Sequence, residues 1–172
     1  MAISIKDKVV IVTGGAGEMG SVIARRLVDE GAKVVIADIS DGSALADDLS
    51  QSGDAIYVKT DVTSEASTQA MAQAALDAYG RIDAIVNNAG LFTAKPWDDL
   101  TLADWKERFA VNVDGTYLAT RAVVPAMTEQ GGGKVINIGS DTVWMGTPGF
   151  AHYVASKGSK KITFRLSDGE SE

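Results

Sequence analysis

The chain contains no cysteine at all. That excludes disulfides, thiolate metal sites and a cysteine nucleophile. It also lacks an excess of positive charge: 16 Lys and Arg stand against 23 Asp and Glu, a formal net charge of −7. A nucleic-acid footprint or an acidic-membrane partner is therefore not expected. No apolar run approaches the ~20 residues of a membrane span. The opening "MAISIKDKVVIVTGG" is too charged, and its apolar run too short, for a signal peptide. A soluble, cytoplasmic protein is the expectation. No stretch reads as a linker, a repeat or low complexity. A chain of 172 residues is then expected to form a single domain over 1–172.

What is present is an alternation. "KVVIVTG" (8–14), "KVVIAD" (33–38), "AIYVKTD" (55–61), "IDAIVNNAG" (82–90) and "KVINIGS" (134–140) read as strands rich in Val and Ile. Between them lie helical stretches at 20–32, 43–53, 64–80 and 101–127. Gly31 and Gly80 are placed to stop helices, and Thr101 and Asp104 have capping-box spacing. Strand–helix alternation predicts an α/β fold with a parallel sheet and right-handed crossovers. Nearly continuous apolar strands predict helices on both faces. Ligands of such sheets bind at the carboxyl ends of the strands, so the polar residues there are the candidates.

Three places stand out. In "VTGGAGEMG" (12–20), Gly15, Gly17 and Gly20 fit G-x-G-x-x-G between a strand and a helix. Glycines there let backbone N–H groups approach a pyrophosphate at the positive end of a helix. Asp38 ends the second strand, 18 residues after Gly20. Its carboxylate suits the adenosine ribose hydroxyls and repels a 2′-phosphate, which favours NAD over NADP. Tyr153 and Lys157 are four residues apart and share a face if helical. A free Tyr, with a pKa near ~10, is a poor acid–base group at neutral pH, and a neighbouring cation favours its phenolate.

These residues together resemble the short-chain dehydrogenase/reductase family from about residue 5 to about residue 160. "TGGAGEMG" (13–20) is similar to its glycine turn, and "NNAG" (87–90) to its fourth-strand motif. Asn112 sits in "FAVNVDGTYLATRAVVPAM", twelve residues separate Ser140 from Tyr153, and "YVASK" (153–157) completes the set. The resemblance implies a Rossmann-type doubly wound parallel sheet of about five strands. It implies an NAD(P)-dependent oxidoreductase that interconverts a secondary alcohol and a ketone by hydride transfer. Tyr153 would be the acid/base, Lys157 would support it and hold the nicotinamide ribose, and Ser140 would bond the substrate oxygen. Asn112 would hold a water that relays protons from Lys157. Gly14, Gly17, Glu18, Met19, Gly20, Asp38, Ile39, Asp61, Val62, Asn88, Ala89 and Gly90 would line the cofactor. Self-association through the helices of Asn112 and Tyr153 is also implied.

Departures from the family pattern are equally specific. In the family's register the turn's glycines fall at Gly14, residue 18 and Gly20, and residue 18 is Glu. A carboxylate beside a pyrophosphate is expected to weaken binding. Residues 158–172 carry no counterpart of the later strands and substrate-covering loop that the resemblance implies. Within them "ITFRL" (162–166) alternates like a strand, yet Ile162 and Leu166 share a helical face. The fifth strand is then an expected sheet edge, and the site an open one. The alternative readings are an NAD-binding domain with little or no turnover, or an interaction module.

Phe92, Trp97, Val143, Trp144, Met145 and Phe150 are expected to flank Ser140 and Tyr153 as an apolar wall. That wall suggests a small apolar or aryl alcohol or ketone as substrate. His152, the sole histidine, reads as a partly exposed helix residue. No positive residue stands ready for a substrate carboxylate or phosphate.

Overall fold

The computed structural model describes residues 4–159. The stretch 162–166, read as strand or helix end, lies outside the described residues. Five parallel strands form one sheet in the order β3-β2-β1-β4-β5. They are β1 (Val9–Thr13), β2 (Lys33–Asp38), β3 (Asp54–Lys59), β4 (Ala84–Asn87) and β5 (Lys134–Asn137). This is the Rossmann-type arrangement, with its switch point between β1 and β4.

Period-two alternation assigns each strand side chain to a face. Val10, Val12, Val34 and Ile36 meet Ala24 and Val28 of α1 (Glu18–Asp29) and Ala46 and Leu49 of α2 (Ser43–Leu49). Ile11, Val35, Ala37 and Ile85 face the other way. They meet Met71, Ala72 and Ala75 of α3 (Glu65–Tyr79) and Ala119, Val123 and Met127 of α5 (Gly115–Glu129). Each such aliphatic side chain contributes about 1.5–3 kcal/mol on burial, so these two cores fix the layers. Ile136 on β5 is 45% exposed, and β5 pairs only with β4 among the described residues.

Helix boundaries follow the sequence signals. Gly80 closes α3 in the left-handed conformation with φ 72°. Thr101 and Asp104 form the capping box of α4 (Leu102–Phe109). The helix expected over 101–127 is not uniform, however. Between α4 and α5 the chain makes a π-helical turn, Ala110–Asp114, and the helical run reaches Glu129. Apolar spacing continues through the turn, so sequence periodicity does not reveal it. Two short helices follow β5: α6 (Thr142–Met145) and α7 (Ala151–Gly158). No described helix is long and apolar enough to cross a membrane.

The end of the sheet opposite the expected site is tied by Asp83. Its carboxylate accepts from Val9 N (2.9 Å), Lys8 Nζ (3.1 Å) and Arg81 Nε and Nη2 (2.8 and 2.6 Å). Burial pushes its pKa up, but hydrogen bonds from Arg81, Val9 and Lys8 outweigh that and bring it to about 2. A folded pKa below the unfolded one stabilises the fold above the unfolded value, and the contribution is lost as pH falls through the folded value. Asp83→Asn is expected to cost about 1–2 kcal/mol at neutral pH. Urea unfolding should show the gap narrowing between about pH 4 and pH 2, and an equal gap at both ends would contradict this.

Candidate active site

The residues following β1, β2, β3 and β4 converge on one cavity of about 690 Å³, a size ordinary for a ligand site. Gly14, Gly17, Glu18, Met19 and Gly20 form its first wall. Gly14 takes φ +63°, and at Gly20 a Cβ would lie 2.0 Å from Gly14 O. The turn therefore folds back on the first residues of α1 as only glycine permits. The N-cap of α1, Gly17, offers no side-chain cap. Its first-turn N–H groups are left to an anion, which suits a pyrophosphate. Glu18 is exposed at the same helix start.

Asp38 and Ile39 line the next wall. The Asp38 carboxylate accepts from Ala16 N (3.0 Å) and Ser40 N (2.9 Å). It is thus held by the glycine turn itself and keeps lone pairs for a hydroxyl ligand. Asp61 and Val62 follow β3, and Asp61 Oδ1 accepts from Thr63 N and Oγ1 (2.9 and 2.7 Å).

Asn88, Ala89 and Gly90 continue the lining after β4. The Asn88 amide donates to Thr13 O (3.1 Å) and Gly14 O (3.0 Å). Thr13 Oγ1 in turn accepts from the N–H groups of Asn88 and Ala89, both at 3.1 Å. Asn88 therefore fixes the glycine turn against β4, a bracing role besides lining the cavity.

Tyr153 and Lys157 close the far side of the same cavity. Both lie on α7 and both are buried, at 8% and 6% exposure. Lys157 Nζ is 5.7 Å from the Tyr153 ring centroid and donates to Ile138 O at 2.8 Å. The lysine thus joins α7 to the segment after β5. Ser140 lies two residues beyond that carbonyl. Its Oγ is 2.7 Å from Thr142 Oγ1, and it is not part of the cavity lining.

Asn112 is fully buried in the π-helical turn. Its Oδ1 accepts from Leu91 N (2.8 Å), and its amide donates to Leu91 O (3.3 Å) and Ser156 Oγ (2.9 Å). Both amide hydrogens are therefore engaged within the protein. The wider turn lets this side chain bridge the β4 exit and α7.

Of the six apolar residues expected beside Tyr153, the structure brings two to its ring. Phe92 and Phe150 stack at 4.8 Å, and each meets Tyr153 edge-on, at 4.9 and 6.0 Å. Trp97, Trp144 and Met145 are exposed by 72%, 74% and 71%, and Val143 lies beside Gly158. Among these six only Phe92 lines the cavity. His152 departs from its expected exposure: it is 1% exposed and contacts Arg108. Packing of α4 against α7 covers it, a long-range effect that helical spacing does not encode. Sequence reading also missed Thr60, Leu91, Glu107, Val111, Ile138 and Gly139 in the lining. Thr60, Ile138 and Gly139 immediately follow strands, so the carboxyl-end rule could have found them.

The profile of the short chain dehydrogenases matches residues 8–166. The chain belongs to the short chain dehydrogenase family. Members of this family generally use a nicotinamide dinucleotide. The chain is similar to the cyclopentanol dehydrogenase of Comamonas testosteroni, 38% identical over 161 residues, 92% of the chain and 64% of the relative. It is 41% identical over 152 residues to the 3-alpha-(or 20-beta)-hydroxysteroid dehydrogenase of Mycobacterium tuberculosis, 87% of the chain and 58% of the relative. It is 34% identical over 165 residues to a 2,5-dichloro-2,5-cyclohexadiene-1,4-diol dehydrogenase of Sphingobium indicum, 94% of the chain and 66% of the relative. The chain thus spans 58–66% of the length of these relatives.

Proposed function

We propose that this chain is an NAD-dependent oxidoreductase that interconverts a secondary alcohol and a ketone, with Tyr153 as acid/base. The observation that carries the reading is that one cavity is lined by the glycine turn and Asp38 on one side and by Tyr153 and Lys157 on the other. A dinucleotide would be held between the Asp38 wall and the α1 N-terminus on one side and Tyr153 and Lys157 on the other, all of which line the same cavity. The bound nicotinamide supplies the hydride acceptor or donor. The chain's own residues do the rest. Gly14 to Gly20 hold the pyrophosphate, Asp38 the adenosine ribose, and Lys157 the second ribose. Asp61, Val62 and Asn88 to Gly90 line the middle of the groove. Tyr153 exchanges a proton with the substrate oxygen, and the Lys157 ammonium stabilises negative charge on the phenol oxygen. Ser140 is the candidate to bond the substrate oxygen from the segment that Lys157 anchors, which requires its hydroxyl to exchange Thr142 for the substrate. Asn112 keeps the β4 exit and α7 in register and stands on the proposed proton route behind Lys157.

The substrate class is an apolar, ring-containing alcohol or ketone. Two observations support it: the Phe92–Phe150–Tyr153 ring cluster, and relatives named for alicyclic alcohols. Exposed Leu102 and Tyr117 on α4 and α5 support self-association, which sedimentation velocity would measure.

Calorimetric titration with NADH, followed by NADH oxidation with cyclopentanone and aryl ketones, tests the reading. No binding would reduce the chain to an interaction module, and binding without turnover to a dinucleotide-binding domain. Asp38→Asn tests cofactor choice. It removes the negative charge that faces the ribose but keeps one acceptor for Ala16 N or Ser40 N. The NAD-over-NADP affinity ratio is expected to fall about tenfold or more, the ~1.4 kcal/mol scale of one partly screened charge contact. An unchanged ratio would take Asp38 out of cofactor choice.

A further inference from the structure

Arg108 on α4 is 4% exposed and has no carboxylate partner among the described residues. One nitrogen, Nη2, donates to Thr93 Oγ1 and lies 3.0 Å from His152 Nε2. Its Nε and Nη1, and His152 Nδ1, are buried without a protein partner among the described residues. The two acids of the same helix that act on it, Glu107 and Asp104, form no ion pair with it among the described residues, and Asp104 is committed to Lys95 Nζ at 2.5 Å and to Thr101. A buried, unpaired cation is costly, so this arrangement is not there for stability. Local rules broken at such cost point to function.

The chemistry of the contact is one-sided. A guanidinium only donates. His152 Nε2 must therefore accept, which requires a neutral imidazole with its proton on Nδ1. A protonated ring would set N–H against N–H and one positive charge against another. The two ends of the contact also matter. Thr93 follows Phe92, and His152 precedes Tyr153, whose ring meets Phe92 at 4.9 Å. Lys95 N, which donates to Gly149 O at 2.8 Å, adds a backbone tie between the same two segments. We propose that Arg108 is a positioning residue: it locks His152 as the neutral Nδ1–H tautomer and thereby holds the Phe92 turn and Tyr153 in one geometry.

The charges around His152 agree. Burial pushes its pKa below the ordinary value, and Arg108 from α4 adds to this. Lys95 from the turn acts in the same direction, and Asp104 from α4 opposes it. Glu107 from α4 acts on the Arg108 side of the contact, and Tyr153 is the neighbour on the helix of His152. A lowered pKa keeps the ring neutral through the working range, and removing Arg108 raises it.

The catalytic part of this inference rests on the oxidoreductase reading above, whereas its first readout does not. His152 is the only histidine of the chain, so its imidazole gives one set of nitrogen signals by NMR. The wild type is expected to keep the Nδ1–H neutral form at pH values where an ordinary imidazole is already protonated. Arg108→Met is expected to titrate nearer the ordinary midpoint of about 6.5 and to lose the fixed tautomer. Its kcat for ketone reduction is expected to fall about tenfold, the scale of a displaced catalytic group. The NADH dissociation constant should stay within about twofold, well below that scale. A new acid limb should appear in the kcat profile, and adding His152→Gln should remove that limb.

Should the Met variant fail to fold, Arg108→Lys carries the same test. Its ammonium keeps the charge but lacks the fork that serves Thr93 and His152 together. Identical tautomer and titration in wild type and variant would overturn the proposal. So would a parallel fall of kcat, NADH affinity and thermal midpoint, which marks a merely structural role. A locked His152 in a wild type that binds NADH but reduces no ketone would support the lock and overturn the oxidoreductase reading.

Discussion

Tyr153→Phe is expected to lower the rate of NADH oxidation with a cyclic ketone by about 10²–10⁴-fold, the usual contribution of a positioned acid/base. The dissociation constant for NADH should change by no more than about twofold, a few tenths of a kcal/mol. The reason lies in what the substitution removes. Phe keeps the ring, and the ring is what packs edge-on against Phe92 and Phe150 at 4.9 and 6.0 Å. Lys157 keeps its bond to Ile138 O at 2.8 Å, so α7 stays anchored to the segment after β5. Only the hydroxyl is lost, and with it the group proposed to exchange a proton with the substrate oxygen. Stopped-flow NADH fluorescence separates the binding and turnover steps. Equal turnover in the two proteins would remove Tyr153 from the chemistry. Equal loss of binding and turnover would instead mean that the hydroxyl serves the fold.

The layers of this protein are legible from short-range pattern. Val9–Thr13 and Lys33–Asp38 announce themselves by β-branched runs, and their alternate residues divide between two cores. Gly80 and the Thr101–Asp104 box mark helix ends by local chemistry that needs no tertiary partner. The cavity wall is legible for a related reason: Gly14 to Gly20, Asp38, Asp61 and Asn88 to Gly90 each follow a strand, and parallel strands bring their carboxyl ends together.

What is not legible depends on contacts between distant segments. The π-helical turn at Ala110–Asp114 keeps the apolar spacing of an ordinary helix, and the contacts it serves, Asn112 with Leu91 and Ser156, are long-range. Arg108 and His152 lie 44 positions apart, and neither residue type signals that the other will bury it. Trp97 and Trp144 look like wall residues by proximity in sequence, yet Pro96 and Gly146 flank segments that leave them exposed.

Gly20→Ala is expected to abolish dinucleotide binding, whereas Gly17→Ala, three residues away in the same turn, is expected to retain it. The difference is one of available space. A Cβ on Gly20 would lie 2.0 Å from Gly14 O, 2.7 Å from Gly15 Cα and 2.8 Å from Gly14 C. All three atoms are backbone, so no side-chain rotation relieves the clash. The first turn of α1 would have to move off the strand-to-helix turn. That turn also carries Ala16 N to Asp38 (3.0 Å) and Gly14 O to Asn88 (3.0 Å), so the disturbance reaches two more walls of the cavity. At Gly17 the nearest atom to an added Cβ is Gly14 O at 3.4 Å, an ordinary contact, and φ is −72°. Overpacking of this kind costs about 1–3 kcal/mol or more, so Gly20→Ala should also lower the urea midpoint. Calorimetric NADH titration beside urea unfolding measures both effects on both variants. The pyrophosphate assignment requires the two positions to differ in this order. If Gly20→Ala bound NADH as the wild type does, the cofactor would not rest on the α1 turn, and the cavity would have to hold its ligand by Asp38 and Tyr153 alone.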